Sequence, residues 1–130
     1  MKKELEDTLF EKYPNIFGDR KQPCHFWGFE CGDGWYMLID TLCHDLQFNT
    51  DKNNSGGKYP QIVALQVKEK FGGLRFYVGR ATEHQNGEIS FAESMSYHIC
   101  ERCGSTDDVQ QVGSWIKSLC KNCRNNKEVI

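Results

Sequence analysis

The sequence predicts an α+β fold: one small domain of N-terminal helices, a central antiparallel β-hairpin or sheet, and a C-terminal four-cysteine unit. Three observations carry that prediction. Apolar residues recur at helical spacing in the first fifty positions, the period drops to two on either side of Gly72-Gly73, and the chain closes on two C-x2-C loops. At 130 residues, with 38% hydrophobic and 26% charged side chains, the chain suits a single domain with a core of its own. Within it, residues 1–99 are expected to form the α+β core and 100–130 a metal-binding subdomain packed against it.

Leu5, Leu9 and Tyr13 stand four apart beside Phe10 and meet Pro14, which predicts a short amphipathic helix over 3–13 ended by proline. Residues 15–32 read as irregular, yet hold Ile16, Phe17, Phe26, Trp27 and Phe29, and aromatics so dense in a loop call for burial under a neighbouring helix. Asp33 is placed to N-cap the next helix, ending near Phe48, with Trp35, Leu38, Ile39, Leu42 and Leu46 as its apolar stripe. The polar, glycine-rich run 49–58 reads as an exposed loop.

From Ile62 onward Val63, Leu65, Val67 and Phe71 alternate with polar residues, as do Leu74, Phe76 and Val78 beyond Gly72-Gly73. A Gly-Gly pair between alternating runs predicts a type I′ hairpin turn, with Phe71 facing Leu74 and Val67 facing Val78. One face is then apolar apart from Glu69, and the other gathers Gln66, Lys68, Lys70, Arg75 and Tyr77. Residues 82–87 read as a second loop. A helix over 88–99 follows, with Phe91, Ala92, Met95 and Ile99 at core spacing. Between the cysteine loops, 109–112 and 114–119 suit a small hairpin turning at Gly113, with Trp115 capping the metal centre, and the residues after Cys123 allow about one or two helical turns.

The cysteine loops are Cys100-Glu101-Arg102-Cys103-Gly104 and Cys120-Lys121-Asn122-Cys123, sixteen residues apart from Gly104 to Leu119. Each brings two sulfurs to one point, and the spacing is that of a structural zinc site, with two disulfides or four buried thiols as the alternatives. Four protein ligands close the coordination sphere, so zinc bound by Cys100, Cys103, Cys120 and Cys123 has a structural role and no open position for substrate. The unit reads as a zinc ribbon or a treble-clef-like knuckle pair.

The net charge is −2, and residues 1–50 hold nine acids against five bases. Zinc with four thiolates contributes further negative charge to the other end. The chain lacks the basic footprint of a general nucleic-acid binder, so any such contact has to be local. The N-terminus carries no apolar h-region and no run is long enough to cross a bilayer, which together with the cysteine pattern predicts a reducing cytosol and no membrane partner. Three cations and an aromatic on one pleated face, Lys68, Lys70, Arg75 and Tyr77, form the candidate binding site, able to grip phosphate oxygens while Tyr77 stacks. The bland reading of that face is a solvated surface whose lysines deter edge pairing.

Cys24, His25, Cys31, Cys43 and His44 supply nucleophile, base and metal-ligand types, but in no recognised ligand spacing, and Cys43 and His44 point about 100° apart on one helix. They read as partly buried thiols. His84 falls in a polar loop and His98 beside the first cysteine loop. No P-loop, dinucleotide glycine pattern, nucleophile elbow or paired-histidine motif occurs.

The runs FWGFECGDGWYMLID, QVKEKFGGLRFYV, CERCG and WIKSLCKNC, with the AESMS helix between, resemble small zinc-knuckle proteins of tailed phages and prophages. The resemblance spans about 26–124. It implies a viral accessory protein acting in the bacterial host cytoplasm, and it assigns no catalytic residue. Three function classes follow. Acidic bulk charge and the absence of a catalytic motif favour a non-enzymatic protein that binds a host protein or a phosphate-bearing nucleotide signal, as a phage uses to block a host system. The second class is a nucleic-acid-binding zinc protein of phage gene expression or replication. The third is a small enzyme built on the Cys24 to His44 group.

Overall fold

A computed structural model describes residues 1–18, 26, 28–53 and 59–126. In chain order the elements are α1 (Lys3–Lys12), α2 (Pro14–Phe17), β1 (Phe29–Glu30), a 3-10 turn (Asp33–Trp35), α3 (Tyr36–Asn53), β2 (Ala64–Lys70), β3 (Gly73–Val78), α4 (Glu83–Ser96), β4 (Gln110–Val112), β5 (Lys117–Leu119) and α5 (Lys121–Asn125). The α+β class is as expected. One sheet has the order β1-β2-β3, with β1 parallel and β3 antiparallel to β2, and β4 and β5 form a separate antiparallel pair. No described helix is long and apolar enough to cross a membrane.

Pro14 does end α1, but it also opens α2 from the first helical position, where its missing N–H costs nothing. Residues 15–17, expected to be irregular, are therefore helical, and Ile16 and Phe17 are buried. The rings of Phe10, Phe17, Phe26 and Phe29 meet at centroid distances of 4.9 to 5.9 Å, so these aromatics build core and leave no stacking surface. Trp27 lies outside the described residues.

Asp33 does not cap a helix. Its Oδ1 accepts the Lys2 backbone N–H at 2.8 Å, tying the N-terminus to the 3-10 turn. Trp35, Ile39, Leu42 and Leu46 are buried as the stripe requires, and Cys43 joins them. The helix continues past Phe48 to Asn53 because its last turns are held from outside: Thr50 is buried and its hydroxyl accepts from Gln85 Nε2 at 2.9 Å. Residues 54–58 of the expected loop lie outside the described residues.

The loop expected over 82–87 is instead the first turn of α4. Thr82 and Gln85 form a reciprocal capping box, which outweighs the helix-weakening Gly87. With Gln85 packed on α3, the buried face is Gln85, Ile89, Ala92 and Ser96, and Phe91 turns outward to 69% exposure, against the expected register. Helix α4 also closes the free edge of β3: Ser96 Oγ and Glu93 Oε2 accept the Leu74 and Phe76 N–H groups.

The hairpin turns one residue earlier than expected. Phe71 (φ 53°) and Gly72 (φ 87°) occupy the two left-handed positions, and Lys70 pairs with Gly73, Glu69 with Leu74 and Val67 with Phe76. The glycines divide two tasks. Gly72 takes the positive φ, whereas a Cβ on Gly73 would lie 2.4 Å from the Tyr97 ring. Shifting the turn changes every cross-strand pair but keeps Val67, Leu74 and Phe76 on the inward face, because each partner moves by two places, while Phe71, expected to pack against Leu74, leaves the ladder for the turn and is exposed. An irregularity between Ala64 and Gln66 breaks the alternation at the far end, so Ala64 points inward and Val63 and Leu65, expected in the core, are exposed.

Candidate metal centre and basic face

Cys100, Cys103, Cys120 and Cys123 bring their four sulfurs within 4.8 Å of one another, and among the described residues they form the sole cluster of this kind. Cys100 and Cys103 sit in the turn after α4, where Gly104 takes φ 84° and donates its N–H to the Cys100 carbonyl. Cys120 is the N-cap of α5, and its sulfur accepts the Cys123 N–H at 3.4 Å. The Cys103 and Cys120 sulfurs are 3.6 Å apart, too far for a disulfide and close to the ~3.8 Å edge of a tetrahedron with metal–sulfur bonds of about 2.3 Å.

The electrostatics suit a cation. Burial alone would raise the Cys100 thiol, yet N–H groups of Cys120, Cys103 and Arg102 aimed at the sulfur bring it down to about 7. Cys103 and Cys123 move the other way, raised by burial and by the neighbouring thiols. Four sulfurs so close cannot all hold negative charge unless a positive ion sits among them. The four cysteines are thus close enough, and of the right donor type, to hold a metal ion.

The centre is anchored to the core through Gly32 and Gly34, to which the sequence alone assigned no role. A Cβ on Gly34 would lie 2.1 Å from the Cys100 carbonyl oxygen, and one on Gly32 would lie 2.3 Å from that of Glu101. This close approach allows Gly34 N–H to reach Glu101 O at 2.8 Å, Gly32 N–H to reach Glu101 Oε2 at 2.9 Å, and Trp35 Nε1 to reach Ile99 O at 2.9 Å. The signal was the pair of glycines bracketing Asp33. Burial raises the Glu101 carboxyl above its usual range, and the nearby Lys117 ammonium partly offsets this. On the other side the Ser118 hydroxyl donates to the Gly72 carbonyl, and Lys117 Nζ reaches Glu69 Oε1 at 2.9 Å. Glu69 was the odd acid on the apolar face; its second oxygen accepts the Gly72 N–H.

Lys68, Lys70, Arg75 and Tyr77 lie on one face of the β2–β3 pair, away from the core. Lys68 stands opposite Arg75, and Gln66 opposite Tyr77. Two features temper the face as a cation cluster: Glu30 of β1 registers with Lys68, and Arg75 is drawn aside by hydrogen bonds to the Tyr97 hydroxyl and the Leu74 carbonyl.

The proposed thiol–imidazole group does not assemble among the described residues. Burial pushes the Cys31 thiol up to about 12 and the Cys43 thiol higher still, which makes both poor nucleophiles. His44 is exposed beside Asp45, turned about 100° around α3 from buried Cys43. Cys24 and His25 lie outside the described residues. Trp115, expected to cap the metal, is 88% exposed at the tip of the β4–β5 hairpin, and Leu119, Val109 and Val112 pack around the cysteines instead. His98 is also exposed and takes no part in the cluster. Comparison with known protein families, known proteins and solved structures returns no match to this chain.

Proposed function

We propose that the chain is a non-catalytic binding protein of the phage accessory type, acting in the bacterial cytoplasm, with one structural zinc ion at Cys100, Cys103, Cys120 and Cys123. Thiolate donors in a closed tetrahedral set favour zinc. The order of knuckle, β4–β5 hairpin and short helix, with Cys120 as that helix's N-cap, supports the treble-clef-like reading over a zinc ribbon. A host protein or a phosphate-bearing nucleotide is engaged at the face bearing Lys68, Lys70, Arg75 and Tyr77.

The observation that carries this reading is the pairing of that outward basic face with buried thiols that hold their protons. The test is capture of partners from bacterial lysate, analysed together for protein, nucleic acid and small nucleotides. K68A/K70A is the preferred variant, because Arg75 also supports Tyr97. It should lose the partner while keeping its metal content and melting temperature, since exposed charges contribute little to stability. Retention of full capture and infection phenotype by K68A/K70A, together with their loss in a folded C31A or C43A protein, would reverse the conclusion in favour of an enzyme.

A further inference from the structure

The basic face continues around the end of the sheet into a cleft of about 540 Å³ between the two hairpin tips, lined by Lys68, Lys70, Phe71, Trp115, Ile116 and Lys117. Two aromatic rings stand at its mouth with little to pack against: Trp115 is 88% and Phe71 68% exposed. Isolated exposed apolar residues are ordinary, but two large rings facing one cleft from separate hairpins are a surface built for contact.

Phe71 adds an independent observation. It occupies the first position of its turn at φ 53°, a conformation suited to Asn, Asp or Gly and costly for a bulky side chain. No burial compensates for that cost. Strain kept without a packing return is characteristic of positions retained for function.

The charges select the kind of partner. Lys117 is engaged by Glu69 at 2.9 Å and by Glu101 at 3.6 Å, and Glu69 also takes the Gly72 N–H, so the acid in the cleft is satisfied internally. Lys68 and Lys70 form no ion pair among the described residues, and Lys70 Nζ lies 5.8 Å from the Phe71 ring centroid. The cleft thus presents two ammonium groups outside any ion pair among the described residues, one beside Glu30 in the sheet register and one over the Phe71 ring, next to two largely exposed rings. The tips are already tied together, because Ser118, held within its own hairpin by Gln111 Nε2, donates across to Gly72 O.

We infer that this cleft binds single-stranded nucleic acid, with bases stacked on Trp115 and Phe71 and phosphates held by Lys68 and Lys70. The inference rests on the binding reading above for the face and puts a phosphate-linked strand in place of a host protein or a single nucleotide. A single strand alternates anions with free planar faces, as the cleft alternates lysines with rings. A duplex has its base faces already stacked, and an acidic peptide has no planar face for the rings to meet. Lysine ammonium groups are compact point charges that hold a phosphate oxygen as they hold any anion, so the rings and not the lysines select a strand over an acidic peptide. An acidic chain with two local cations is compatible with such binding provided the salt dependence is shallow, about 0.7 per phosphate neutralised on a single strand.

The experiment is fluorescence anisotropy of the metal-loaded full chain with labelled short oligothymidylate and oligouridylate over a salt series. The expected result is saturable binding that W115A and F71A each weaken on the order of tenfold, with unchanged metal content and melting curves no lower than wild type. K68A/K70A should flatten the slope of log K against log salt by about 1.4. Unlabelled thymidine monophosphate, a duplex of the same length and oligoglutamate serve as competitors. Absence of binding at low salt, indifference to W115A and F71A, or equal displacement by any of the three competitors would each overturn the inference. If K68A/K70A abolishes capture of a lysate partner while the oligonucleotides fail to bind, the binding reading stands and the single-strand assignment falls. If K68A/K70A changes neither, both fall.

Discussion

Gly34→Ala should be among the most damaging single changes in the molecule, although it adds one methyl group. Its Cβ would meet the Cys100 carbonyl oxygen at 2.1 Å, the Gly104 nitrogen at 2.6 Å and the Glu101 carbonyl carbon at 2.7 Å. All three are backbone atoms, so no side chain can swing aside. The first cysteine loop has to move off the 3-10 turn, at an overpacking cost of about 1–3 kcal/mol. Separation also lengthens the Gly34 N–H to Glu101 O and Trp35 Nε1 to Ile99 O hydrogen bonds, each contributing about 1 kcal/mol net. A loss of about 3–5 kcal/mol follows, a large share of the stability of a small domain. Urea unfolding followed by circular dichroism should show the midpoint falling by about 2 M for a slope near 2 kcal/mol/M. Gly87→Ala is the control with the opposite sign: it lies exposed in α4 with nothing within 4 Å, and should stabilise by up to about 1 kcal/mol through helix propensity. A G34A midpoint equal to or above wild type would show that the close approach of the two segments does not hold the fold together.

Three further outcomes are expected. Cys103→Ser should remove the metal and abolish amide protection in β4 and β5, because ligand binding and folding of that unit are one equilibrium; a full equivalent of metal in the purified variant would refute the four-sulfur assignment. Phe71→Asn should raise the melting temperature by about 4 °C, the equivalent of about 1 kcal/mol released at a left-handed position, and a lower value would mean that Phe71 packs in a way its exposure denies. At Asp40, burial works to raise the carboxyl, but hydrogen bonds from Lys12 and Tyr13 and the Lys12 charge outweigh it and hold the group below the usual range. A folded-state value below the unfolded one contributes stability that is full above about pH 5 and is lost as pH falls through the folded value. The difference in melting temperature between wild type and D40N should therefore be constant near neutrality and shrink in acid; a difference that grows in acid would contradict the sign.

The parts of this fold that were legible in the sequence are those fixed by periodicity. Trp35, Ile39, Leu42 and Leu46 repeat at helical spacing and are buried, and the cysteine loops converge as their spacing requires. What was not legible depended on partners distant in the chain. The last turns of α3 are held by Gln85, thirty-five residues beyond Thr50. The hairpin register turned on Gly73 yielding to Tyr97, a residue of the following helical segment, which left Phe71 to take the strained position. Period two placed Leu65 in the core until a local irregularity reversed it. Trp115 looked like a metal cap because it is near the cysteines in sequence, but a hairpin tip points away from the knuckles that its strands connect.

That last reversal shows how a metal at the four cysteines would bear on the proposed cleft without touching it. Cys120 follows β5 directly, and Glu101 N–H donates to Ser118 O at 2.9 Å, so both cysteine loops fix the position of Ser118. Ser118 in turn holds the Gly72 carbonyl, and Lys117 beside it reaches Glu69. The tip carrying Trp115 and the tip carrying Phe71 are therefore set at their separation by one chain of contacts that begins at the four sulfurs. A metal held by all four sulfurs would act through geometry: it would fix a hairpin of two three-residue strands, too short to be stable alone, against a second hairpin that belongs to the main core. Chelation would remove no residue from the cleft, yet it would release one of its two walls.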